Sequence, residues 1–137
     1  MSLPHAQEAA LPLPTCSAPS AYGIIDPDYA RIFTIARLLA WQEGYALAMH
    51  GSFTRDLDLI AVPWTDRACE PEHLVRRLLS ACEEKLREQS GNPGLKPHGR
   101  KVWTLVFSGF ADPRYVDLSI FEPNKELSHA AKEVDNG

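Results

Sequence analysis

Three aspartates and a Gly-Ser pair are the groups in this 137-residue chain whose types and spacing could do chemistry. In the run from His50 to Trp64, Gly51-Ser52 is followed by Arg55, and then by Asp56 and Asp58 one residue apart in an otherwise apolar stretch. Alternate side chains of a strand share a face, so Asp56, Asp58 and Ile60 would point one way and Leu57, Leu59 and Ala61 the other. The same alternation puts Tyr115, Asp117 and Ser119 on one face, with Val116, Leu118 and Ile120 opposite. If the two strands are neighbours, Asp117 stands beside the Asp56/Asp58 pair.

Ionised carboxylates so arranged repel, by about 4 kcal/mol per pair at 4 Å and an effective dielectric near 20. Either one is protonated, or the cluster faces water, or it holds a cation. Hard oxygen donors with open positions suit Mg²⁺ or Mn²⁺, which keep waters and bridge to phosphates. Two such ions can activate an attacking oxygen and stabilise a leaving pyrophosphate. Asp56, Asp58 and Asp117 are therefore the candidate metal ligands and catalytic groups, with Asp117 also a candidate general base.

Gly51-Ser52 supplies the complementary half. Glycine at a strand end lets the backbone approach a ligand, and neighbouring N–H groups with the serine hydroxyl can take phosphate oxygens. Arg55 is a candidate triphosphate contact, and Lys96, Arg100 and Lys101 are weaker ones on a loop. The competing reading is structural. Asp56 would accept turn N–H bonds, Asp58 would pair with Arg55 or Arg114, Gly51-Ser52 would be a tight turn and His50 would pack.

These residues need a frame. Asp26-Pro27 reads as an N-cap with proline at the first helical position, and Ala30, Phe33, Ile35, Leu38, Leu39 and Trp41 suggest an apolar helix face ending at Gly44. Residues 45–52 read as a short buried strand, and residues 56–64 as a second that ends at Pro63. A helix from Pro71 carries Leu74, Val75, Leu78, Leu79, Cys82 and Leu86 on its stripe, with the charges solvated. Residues 89–100 read as loop. Lys101–Phe110 and Arg114–Phe121 read as a hairpin joined by Ala111-Asp112-Pro113-Arg114. Trp41, Trp64 and Trp103 suit core or strand-edge packing. The fold class is α+β, with a mixed or antiparallel sheet and helices packed on one face. Residues 1–22, rich in Pro, Ala and Ser, predict a disordered arm. One domain is expected over 23–125, with a tail over 126–137 that has room for a short helix.

The totals narrow the setting. A 45% apolar and 23% charged composition is that of an ordinary globular domain. A net charge of −4 disfavours a nucleic-acid partner. Cys16, Cys69 and Cys82 are odd in number and widely spaced, which suits a reduced, cytoplasmic protein, and no run has the length of a membrane span.

Gly-Ser after a short strand, Asp-x-Asp opening the next, and a later strand reading Tyr115-Val116-Asp117-Leu118-Ser119-Ile120-Phe121 together resemble the DNA polymerase beta-like nucleotidyltransferase superfamily. The resemblance covers residues 26–121. It implies that Gly51 and Ser52 hold nucleotide phosphates, that Asp56 and Asp58 bind two metals, and that Asp117 completes the site. It further implies Mg²⁺ or Mn²⁺ as cofactor, an NTP as substrate, and transfer of NMP to a protein or small-molecule hydroxyl. Two departures stand out. In the family a short helix separates Gly-Ser from the aspartates, whereas here only Phe53-Thr54-Arg55 intervene. With 20 residues after Asp117, an additional base- or acceptor-gripping domain is not expected. The alternative is therefore a nucleotidyltransferase-fold binding or regulatory module that acts with a partner protein. Assembly as a homo-oligomer stays open.

Overall fold

In the computed structural model, residues 26–51 and 55–123 are described. The expected arm, the tail and Ser52 fall outside them.

Helix α1 (Pro27–Gln42) starts where its sequence demands: Asp26 caps it by accepting the Asp28 N–H at 2.8 Å, and Pro27 fills the first turn. It stops before Gly44, whose φ of +88° reverses the chain. A Cβ at Gly44 would lie 2.6 Å from Thr65 Oγ1, so only glycine fits there. Strands β1 (Tyr45–His50) and β2 (Leu57–Pro63) form an antiparallel pair in which His50 faces Asp58. Helix α2 (Pro71–Ala81) follows, then β3 (Leu86–Glu88), β4 (Gly94–Lys96), β5 (Arg100–Phe107) and β6 (Tyr115–Phe121).

The sheet order is β1-β2-β6-β5-β3, with β4 also on β5. β6 is the last of the described strands in sequence but lies inside the sheet, parallel to β2 and antiparallel to β5. The sheet is thus mixed, and the fold is α+β. One face carries the core: Leu57, Leu59 and Ala61 of β2, Val116, Leu118 and Ile120 of β6, and Trp103, Leu105 and Phe107 of β5. Both helices pack there, α2 through Leu74, Val75 and Leu78. The aspartates lie on the other face, as strand alternation requires. No helix among the described residues is long and apolar enough to cross a membrane.

Four local expectations need correction. The buried stripe of α1 is Tyr29, Ile32, Ala36, Leu39 and Ala40. Small Ala36 and Ala40 bring the helix close to its neighbours, which leaves Leu38 (59%) and Trp41 (66%) exposed. These two border a groove of about 610 Å³ between α1 and β1, while Trp64 is also exposed and Trp103 alone of the tryptophans is core. The α2 stripe breaks after Ala81: Lys85 and Leu86 N–H groups both donate to Cys82 O, and Leu86 then starts β3 against Phe107. Leu86 satisfies the helical spacing but is buried from a strand. Within the expected loop 89–100, residues 94–96 pair with β5 as β4.

Candidate metal centre

The parallel register of β2 and β6 matches Asp58 with Asp117. Parallel neighbours are about 4.8 Å apart, so the two carboxylates rise side by side from one face of the sheet. Asp56 joins them from the residue just before β2. One carboxylate oxygen from each of Asp56, Asp58 and Asp117 lies within 4.8 Å of the others. A row of matched positions crosses four strands: His50 faces Asp58, Asp58 faces Asp117, and Asp117 faces Thr104. Thr104 Oγ1 donates to Asp117 Oδ1 at 2.9 Å.

The electrostatics are those of crowded negative charge. Burial pushes the Asp58 carboxyl above its ordinary value, and neighbouring Asp56 and Asp117 push it further, against the opposing pull of His50. Asp56 is 9% exposed. Its nearest cation among the described residues is Arg55, whose Nε stands 3.8 Å from Asp56 Oδ1 on a side chain 81% exposed. So loose and hydrated a contact offsets little of the repulsion.

Gly51 stands against this cluster. Its φ is +83°, and a Cβ there would sit 2.6 Å from Asp58 Oδ2. The backbone passes directly over the carboxylate, at a position that only glycine can occupy. Tyr29, buried in α1, donates its hydroxyl to Arg55 O at 3.0 Å. Arg55, at the entry to β2, is thereby tied to the helix layer.

The arginine pairing expected for Asp58 in the structural alternative is not the one observed. Arg55 lies against Asp56 rather than Asp58. Arg114 is taken up elsewhere: its guanidinium binds Asp26, Asp28 and Asp112 and lies 4.2 Å over the Phe107 ring. Of the basic residues considered for phosphate, Lys101 is on the wrong face. Register with Ile120 puts it on the helix side, where it bridges Glu72 at 3.0 Å and Glu122 at 2.6 Å. Arg100 pairs with Phe121, and Lys96 with Arg100, at the end of the sheet away from Asp117. Arg55 is the basic side chain beside the cluster.

The donor set suits a hard divalent cation. All three groups are carboxylates, and one oxygen from each lies within 4.8 Å of the others, which is the hard donor type that Mg²⁺ and Mn²⁺ take. Thr104, His50 and Tyr29 join the site beyond the residues expected for it. Thr104 was open to discovery: alternation along β5 together with the hairpin turn places it opposite Asp117. Tyr29 had no such signal, because a buried aromatic on a helix stripe looks like any core residue.

Compared with known proteins, the chain matches no family model and no curated protein.

Proposed function

We propose that the chain is a minimal, metal-dependent nucleotidyltransferase of the DNA polymerase beta-like type, moving NMP from an NTP to a protein or small-molecule hydroxyl. The observation that carries this reading is the in-register pair Asp58 and Asp117, with Asp56 completing a cluster of three oxygens within 4.8 Å. Mg²⁺ or Mn²⁺ held by these carboxylates would neutralise phosphate charge and favour ionisation of the attacking hydroxyl. The acceptor oxygen bonds to the α-phosphorus, the bond to pyrophosphate breaks, and the hydroxyl proton passes to Asp117 or to water. Gly51 keeps the backbone low over Asp58, and Arg55 offers an exposed guanidinium to the triphosphate. Ser52 is assigned to the same phosphates on sequence grounds. The two free thiols among the described residues, Cys69 and Cys82, fit a cytoplasmic setting.

One observation favours the second reading, a nucleotide-binding or regulatory module without turnover. β1 ends at His50 and β2 begins at Leu57, which leaves no room for a helix of useful length whose N-terminus would bind phosphate. Incubation with labelled NTPs and Mg²⁺ or Mn²⁺ separates the two, with Asp56→Ala/Asp58→Ala as control. Aspartate-dependent product supports the enzyme. Nucleotide binding without product supports the module, and no nucleotide binding removes both.

A further inference from the structure

A carboxylate ligand is useful only when it is aimed, and the aim of Asp117 comes from outside the cluster. Strand β5 has neighbours on its outer edge at both ends: β4 reaches Val102 and β3 reaches Leu105. Between them, Trp103 and Thr104 have no strand residue opposite. Asn92 fills part of this gap with its side chain. Its Nδ2 donates to Thr104 O at 2.9 Å, and its Oδ1 accepts from Thr104 N at 3.1 Å. A carboxamide carries the same donor and acceptor as a peptide group, so Asn92 supplies the outer partner of Thr104 N and shares Thr104 O with the Gln89 N–H at 3.1 Å.

This has a direct effect on the other edge of β5. In an antiparallel pair, a residue that turns its N–H and C=O outward forms the closer, non-hydrogen-bonded kind of match with the strand inside, with Cα atoms about 4.5 Å apart. Thr104 and Asp117 are matched in this way, which brings the threonine hydroxyl onto Asp117 Oδ1. Threonine is stiff about χ1, so holding its backbone also holds its hydroxyl. With Oδ1 held, rotation of the Asp117 carboxylate is fixed. Oδ2 carries no protein hydrogen bond among the described residues.

We propose that Asn92 and Thr104 are positioning residues: together they set the rotation of the Asp117 carboxylate and thereby the divalent-cation affinity of the cluster. This rests on the metal reading given above. A cation's outer partners commonly change affinity tenfold or more when removed.

The test is a Mn²⁺ titration of the full chain, followed by electron paramagnetic resonance, for wild type, Thr104→Val, Thr104→Ser and Asn92→Ala. Circular dichroism of the metal-free proteins checks the fold. The expected result is a dissociation constant raised about tenfold in Thr104→Val, with unchanged stoichiometry. Thr104→Ser, which restores the hydroxyl, returns it to within about threefold of wild type. Asn92→Ala should weaken binding in the same direction. Wild-type affinity in a folded Thr104→Val overturns the positioning role and leaves the metal reading standing. Equal losses in Thr104→Val and Thr104→Ser also overturn it, because the hydroxyl would then not be the agent. Absence of Mn²⁺ binding by wild type overturns the metal reading and this inference together.

Discussion

Asp58 and Asp117 are matched residues on adjacent parallel strands, and nothing among the described residues neutralises them in the way Arg114 neutralises Asp26, Asp28 and Asp112. Among the described residues, then, these two acidic groupings are of opposite character. One is closed by an arginine and serves the fold. The other has only the loose Arg55 contact among the described residues, so repulsion within it carries a cost to stability.

That cost is measurable through Asp58. Its carboxyl titrates above the ordinary 3.8 because of burial first and the neighbouring aspartates second. The folded state therefore binds this proton more tightly than the unfolded chain. Stability is fully present below the unfolded value and is lost as pH rises through the raised one. Asp58→Asn should raise the metal-free melting temperature at pH 7 by roughly 2–6 °C and flatten this part of the pH profile. Millimolar Mg²⁺ or Mn²⁺ should stabilise wild type more than the variant. Calorimetry with and without metal reads both effects.

Gly51→Ala tests the close approach of backbone and carboxylate. The new Cβ would stand 2.6 Å from Asp58 Oδ2 at a φ of +83°. Expected are a loss of about 1–2 kcal/mol from the left-handed backbone and a displaced Asp58. Chemical denaturation gives the first and a crystal structure of the variant the second. Mn²⁺ affinity should fall by more than tenfold.

Arg114→Ala tests the closed grouping. Asp28 is held below its ordinary value by the Arg114 hydrogen bond first and Lys85 next. An acid depressed in this way stabilises the fold above its unfolded pKa, and the contribution disappears as pH falls through the depressed value. The variant should lose about 1–3 kcal/mol at neutral pH, as three carboxylates lose a shared partner. Its stability should also fall less steeply below pH ~4. Urea midpoints across pH 2–7 check the sign.

Tyr29→Phe removes the hydroxyl that holds Arg55 O while keeping the ring edge-on to Phe107 at 5.8 Å. The expected cost is about 0.5–1.5 kcal/mol. Because the lost bond anchors Arg55 beside the aspartates, nucleotide affinity should weaken while Mn²⁺ affinity changes little. Paired titrations with nucleotide and with metal resolve the two.

The site was more legible in the sequence than the helices that support it. Strand alternation has a period of two, so the faces of Asp56, Asp58 and Asp117 followed from the residues alone. What alternation could not supply was which strands are neighbours, or that β2 and β6 run parallel. The stripe of α1 was only partly placed: Leu39 is buried and Phe33 and Ile35 pack against the core, but Ala36 and Ala40, small and close-packed, carry little signal beside Leu38 and Trp41. Leu86 fitted a helical spacing that the chain had already left. Asn92 acts by imitating backbone, and no pattern in a sequence marks a side chain for that task.

The placement of β6 carries a prediction about assembly. It is the last of the described strands in the chain, yet it lies between β2 and β5, and its pairing with β2 joins residues 59 positions apart, Asp58 and Asp117. Loop-closure entropy predicts that the local hairpin β5–β6 forms ahead of its docking against β2, which closes a longer loop. Asp117 reaches Asp56 and Asp58 only at that step, so a nascent chain that has not yet released β6 carries no cluster. Carboxylate repulsion therefore acts on the final docking and on its reversal. A cation that relieves it should lengthen the lifetime of the native state while leaving the earlier folding steps unchanged.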